Sequence, residues 1–142
     1  MKTFDSKNRL IDHTADMGIV VYGTDLKDLF KGAAESMLKI MLSGVSARLA
    51  KSRKLLVAGQ DLGDLMVRWL GEILSLMEIE REVVAAITIN SISPRRLDTL
   101  VETVPFDPDL QEILCEIKAV TYHQIEVVQK DDHWEARIIF DI

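Results

Sequence analysis

The chain has 142 residues, 48% of them apolar, and a net charge of −6 at neutral pH, a balance that excludes a disordered chain. A length near 150 residues supports one domain rather than two, so residues 1–142 are expected to form a single domain. Seventeen basic residues against 23 acidic ones argue against a protein whose main task is gripping a phosphate backbone, which needs clustered Lys and Arg.

Residues 1–10 carry charges throughout and no apolar stretch, unlike a signal peptide. No apolar run approaches the ~18 residues that a membrane span needs, so the expectation is a soluble, cytoplasmic protein with no membrane partner. The first apolar alternation, Gly18-Ile19-Val20-Val21-Tyr22-Gly23, predicts a short strand. Thr24 then offers an N-cap, with Asp25 and Asp28 in the first turn of a helix. Leu26, Leu29, Phe30, Ala33, Ala34, Met37, Leu38 and Met41 recur at spacings of three and four, one face of a long amphipathic helix. Ser43-Gly44 is its predicted stop. Residues 48–54, with Arg48, Lys51, Arg53 and Lys54, read as a solvated connection into a strand at Leu55-Leu56-Val57-Ala58. Four isolated cations in an acidic chain make a weak footprint for RNA.

Asp61 is the predicted cap of a second helix, with Leu62, Leu65, Met66, Trp69, Leu70, Ile73, Leu74 and Met77 on its apolar face. Trp69 and the methionines are expected core residues. Residues 83–92 are rich in β-branched side chains, residues 95–104 look extended, and Pro94 between them suggests a hairpin. Pro105, Asp107, Pro108 and Asp109 mark a loop. Residues 119–129 and 134–142 read as two strands joined by the turn Lys130-Asp131-Asp132-His133. No internal repeat stands out. The pattern predicts an α+β two-layer sandwich, with two long amphipathic helices on one face of a mixed or antiparallel β-sheet.

There is no phosphate loop, no Gly-x-Gly-x-x-Gly and no nucleophile elbow, so nothing forces an enzyme. The single cysteine, Cys115, excludes an intrachain disulfide and a Cys-rich zinc site. It reads as a small, partly buried packing residue. Asp12-His13-Thr14-Ala15-Asp16 is compact, polar and directly precedes an apolar strand. Its two carboxylates suit either a hard-cation site or a turn whose side chains bond local backbone N–H groups. The chain ends Ile139-Phe140-Asp141-Ile142 inside an apolar strand, which is expected to fix the α-carboxylate beside Asp141. If Asp16 approaches, three anionic oxygen sources converge, an arrangement that is costly without a cation. Ca²⁺, Mg²⁺ or Mn²⁺ suits all-oxygen ligands. A third block, Glu116-Ile117-Lys118-Ala119-Val120-Thr121-Tyr122-His123, reads as the start of a strand with polar residues outward.

In this order and at these separations, the three blocks resemble the archease family. The helices beginning Thr24-Asp25-Leu26 and Asp61-Leu62 fit the family's two helices, so the resemblance covers nearly the whole chain. Archeases act with the RNA ligase that seals tRNA exons, joining a 2′,3′-cyclic phosphate or 3′-phosphate end to a 5′-hydroxyl with GTP and Mn²⁺. The resemblance implies an accessory protein rather than an enzyme. It would promote ligase guanylylation and multiple turnover, with the ligase as protein partner and RNA met only through it. It also implies a divalent metal, Ca²⁺ first and Mn²⁺ or Mg²⁺ as alternatives, held by Asp16, Asp141 and Ile142. Asp12, His13, Lys118, Tyr122 and His123 match the motifs and are assigned as supporting or partner-contact residues; no residue is assigned a catalytic role. Family members usually carry a Gly-Glu pair before the Pro-Phe-Asp-Pro loop and often a His after it. This chain has Val101-Glu102-Thr103-Val104 before Pro105 and Leu110-Gln111 after, a departure that bears on contacts made by that loop. The alternative function is a chaperone or modulator of tRNA-modifying enzymes, which predicts an exposed apolar groove.

Overall fold

The structure, a computed structural model, describes residues 4–5, 9–10, 15–44 and 50–142. Strands β1 (Phe4–Asp5) and β2 (Arg9–Leu10) pair with each other. Strand β3 (Asp16–Gly23) begins two residues before the expected one and buries Val21 on its inward face, with Val20 and Tyr22 outward. Helix α1 (Leu26–Met41) is capped by Asp25 rather than Thr24. The Asp25 side chain accepts the N–H of Asp28, and the Asp28 carboxylate accepts the N–H of Thr24, each at 2.8 Å.

Ser43-Gly44 does not cap the helix. The chain turns extended at Leu42 and forms β4 (Leu42–Gly44). The basic segment expected as a connection belongs instead to β5 (Lys51–Ala58). Arg53 stands on its inward side and is held there by Glu82, whose carboxylate accepts from Arg53 Nε at 2.8 Å. Helix α2 (Leu62–Ile79) is capped by Asp61, as expected. The predicted hairpin is β6 (Glu82–Ser93) and β7 (Arg96–Pro105), with bulges in β6. A short strand, β8 (Gln111–Ile113), follows the proline loop and pairs with β4. The expected strand over residues 119–129 is broken into β9 (Ala119–Val120) and β10 (Glu126–Gln129). Gln124 between them adopts φ 51°, left-handed backbone that ends a strand. Strand β11 (Trp134–Asp141) closes the chain. No described helix is long and apolar enough to cross a membrane.

The fold class is α+β, and every strand pairing described is antiparallel. The sheet is divided rather than continuous. One sheet runs β10-β11-β3, with β9 also on β11; another runs β5-β7-β6. This division exposes an internal repeat that the sequence reading missed. Each sheet is a strand, a helix and a hairpin, with the first strand paired to the last: β3, α1, β10 and β11 in one unit, β5, α2, β6 and β7 in the other. The second unit lies within the first along the chain.

The repeat is visible where strand meets helix. Gly23-Thr24-Asp25-Leu26-Lys27-Asp28-Leu29 matches Gly59-Gln60-Asp61-Leu62-Gly63-Asp64-Leu65. In both, the third residue caps and the sixth accepts the N–H of the second at 2.8 Å. A Cβ on Gly23 would stand 2.5 Å from the Leu29 nitrogen, and one on Gly59 2.8 Å from the Leu65 nitrogen. Only glycine lets the strand end this close to the helix.

Both helices pack on strands of both sheets and share one core. Phe30, Met37, Trp69, Leu70, Val101 and Phe140 are all fully buried in it. Each such side chain contributes about 1.5–3 kcal/mol over its exposed state. The Trp69 indole N–H donates to the Phe30 carbonyl at 2.9 Å, tying α2 to α1.

Candidate metal-binding site

Asp16 opens β3 and Asp141 closes β11, and the register sets them directly opposite each other. The neighbouring pair, Met17 and Phe140, points inward, with Phe140 fully buried. Period-two alternation therefore sends both aspartates to the outer face. Directly opposed residues of an antiparallel pair have Cβ atoms about 4.5–5.5 Å apart. Asp16 is exposed and Asp141 half-buried.

Backbone bonds hold this end on both sides. The Ile142 N–H donates to the Ala15 carbonyl at 3.0 Å, and the Lys118 N–H donates to the Asp141 carbonyl at 2.8 Å. Strand β9 lies along the other edge of β11, with Ala119 opposite Asp141. Asp16, Asp141 and Ile142 are thus brought together, and the main chain at Lys118 joins them.

The donor chemistry fits a hard cation. Carboxylates at opposed positions on one sheet face supply the oxygen ligands that a divalent ion takes. Among the described residues, no three His, Cys, Asp or Glu side chains gather in a group that could hold a metal. Ile142, the third ligand that the resemblance implies, follows Asp141 directly and is fixed through its N–H to Ala15. Asp12 and His13 lie outside the described residues.

The remaining residues of the 116–123 block are placed differently. Thr121 donates both its N–H and its hydroxyl to the Ile139 carbonyl at 3.0 Å. Tyr122 turns to α2, and its hydroxyl donates to Asp64 Oδ1 at 2.7 Å. Arg68 Nε also donates to Asp64, at 3.0 Å. The hydrogen bond from Tyr122, followed by that from the Gln60 N–H, holds the Asp64 carboxyl below its usual range; the same bond raises the Tyr122 hydroxyl. His123 is exposed, and its N–H donates to Thr121 Oγ1 at 3.2 Å. The Tyr122 side chain is therefore engaged with α2 rather than with the acidic pair.

The loop that departs from the family pattern folds on itself. The Asp107 carbonyl accepts the N–H of Leu110 and Gln111, and Gln111 Oε1 accepts the Asp107 N–H at 2.9 Å. A further cluster, on the outer face beside β3, escaped the sequence reading. His133 Nδ1 lies 2.7 Å from Asp132 and Nε2 lies 2.9 Å from Glu135, with the Tyr22 ring 5.8 Å away. Only the β3–β11 register brings Tyr22 there.

The architecture is that of an α+β protein built from two nested strand–helix–hairpin units, with an acidic pair at one sheet end. The model of the archease protein family (MTH1598/TM1083) matches residues 9–142, and the chain belongs to that family. An archease of Methanosarcina acetivorans is 30% identical over the full length of both chains. The solution structure of Methanobacterium thermoautotrophicum protein 1598 superposes with a TM-score of 0.63 at 26% identity, covering 93% of this chain and 96% of that one. The crystal structure of a Thermotoga maritima archease, described as a possible chaperone, superposes with a TM-score of 0.68. It covers 94% of this chain and 96% of that one at 18% identity, a likeness of fold alone.

Proposed function

We propose that this chain is the accessory protein of a GTP-dependent RNA ligase in tRNA splicing, promoting ligase guanylylation and repeated turnover. The observation that supports this most is the direct register of Asp16 with Asp141 on an outer sheet face. In this reading Asp16, Asp141 and Ile142 hold a divalent ion, Ca²⁺ first and Mn²⁺ or Mg²⁺ as alternatives. When bound, the ion neutralises phosphate charge that would otherwise oppose guanylyl transfer. The strand register keeps both aspartates on the outer face, and the backbone bonds at Ala15 and Lys118 anchor the strand ends that carry them. Its acidic balance suits docking to a basic, RNA-binding enzyme better than docking to RNA.

The test is a turnover assay with the same organism's ligase, tRNA half-molecules, GTP and Mn²⁺. The expected result is a rise from about one product per ligase to many, lost in Asp16→Asn and in Asp141→Asn. Full activation by either variant would reject the site. A second reading, a chaperone of tRNA-modifying enzymes, is favoured by one observation: Ile79, Ile113 and Leu114 expose large aliphatic side chains. Suppressed aggregation of unrelated test proteins would support it.

A further inference from the structure

A groove of about 270 Å³ lies where the C-terminal ends of both helices meet the segment after β8. Met41, Leu42, Leu74, Met77, Ile113 and Cys115 line it. Its wall is fixed by the Leu114 N–H, which donates to the Met41 carbonyl at 2.7 Å, and by the pairing of Leu42 with Ile113. Ile113 and Leu114 are 52% and 54% exposed, and Ile79, next to the lining residue Glu78, is 76% exposed. Single exposed aliphatic residues are ordinary, but three flanking one apolar cleft are not. The volume sits at the small end of the ~300–1,000 Å³ range of pockets that enclose small ligands. It suits one or two large side chains projected from a macromolecule, and the two methionines supply adaptable packing for them.

Charge selects the occupant. Glu78 and Glu116 line the groove. Arg81 also lines it, with its guanidinium over the Phe106 ring at 5.9 Å. From Ile117 in the lining, the wall continues to Lys118, whose N–H meets the Asp141 carbonyl. The acidic character of the groove rests on Glu78 and Glu116.

We propose that this groove docks a cationic amphipathic segment of a partner protein. Its aliphatic stripe enters between Met41 and Met77, and flanking Lys or Arg side chains face Glu78 and Glu116. This goes beyond the accessory reading and does not need a metal; it holds for a partner of any activity.

The probe is a labelled peptide of about five helical turns, with Leu at spacings of three and four and Lys elsewhere. A matched peptide carries Glu in place of Lys. Binding is read by anisotropy, and contact by the rate at which iodoacetamide alkylates Cys115, the chain's only cysteine. The Lys peptide is expected to bind and to slow alkylation about tenfold, and the Glu peptide to do neither. The double variant Glu78→Lys/Glu116→Lys is expected to reverse the preference, which also shows that it folds. Equal binding of both peptides would mean an unselective apolar surface and overturn the proposal. So would an unchanged Cys115 rate, or a dimer in sedimentation that Ile113→Asp dissolves, since a second copy would then fill the groove. Ligase activation plays no part in these readouts, so the accessory reading stands or falls separately.

Discussion

A buried indole requires an acceptor for its N–H, and Trp69 finds one in the Phe30 carbonyl. Trp69→Phe removes that donor and leaves a void, so it is expected to lower stability by about 1–3 kcal/mol in chemical denaturation. An unchanged denaturation midpoint would show that the bond contributes nothing. His133 carries a pH dependence. Its hydrogen bonds, to Asp132 first and then Glu135, raise the imidazole above its usual range. A raised folded value means that the contribution is complete below about pH 6.5 and is lost as pH climbs through the higher folded value. Between about pH 6 and pH 8.5, His133→Gln is expected to flatten the fall in the urea midpoint. An identical slope in wild type and variant would contradict this. The core role of Trp69 was legible from spacing alone. The His133 cluster was not, because Tyr22 reaches it only through pairing of residues more than a hundred positions apart.

The helix starts are the clearest local devices, and α2 makes opposite predictions for a glycine just before its start and one in its interior. Gly59→Ala places a Cβ 2.8 Å from the Leu65 nitrogen and 2.9 Å from its Cα. It is expected to cost about 1–3 kcal/mol, since backbone must move. Gly71, inside α2, meets nothing within 4 Å. Gly71→Ala is expected to add about 0.5–1 kcal/mol of stability through helix propensity. Thermal melts of both variants check the pair; equal shifts would refute the close-approach argument. At this scale both helices, the β6–β7 hairpin and the final hairpin were legible from periodicity and turn residues. Strand β5 was misjudged because Lys51, Arg53 and Lys54 look solvated in sequence, whereas Arg53 lies inward against Glu82. The break between β9 and β10 was hidden because the left-handed residue is Gln124 rather than glycine. The repeat was missed because its shared signal is seven residues long and the flanking helices differ.

The two units share topology but not chemistry. Counting back from Gly23 and Gly59, Asp16 corresponds to Ser52. The registers make Asp141 correspond to Glu102, and Ser52 lies opposite Glu102. An opposed pair of aspartates therefore belongs to the first unit, whose outer strands carry the chain from one side of the nested unit to the other. Like charges directly opposite destabilise, so Asp16→Asn is expected to hold or raise the thermal midpoint without metal while removing the metal response. A lowered midpoint without metal would point to a structural role for Asp16. The three blocks of the candidate site were legible as motifs, but the approach of Asp16 to Asp141 was only a condition in the sequence reading, because it depends on β3 pairing with β11. The placement of Tyr122 on Asp64 was not legible, since it depends on how the second helix meets the first sheet. The most direct measurement is calorimetric titration of the wild-type chain with Ca²⁺ and with Mn²⁺, beside Asp16→Asn and Asp141→Asn. One ion per chain, with affinity reduced about tenfold or more in each variant, is the predicted result; no binding, or binding unaltered by both substitutions, would contradict the account.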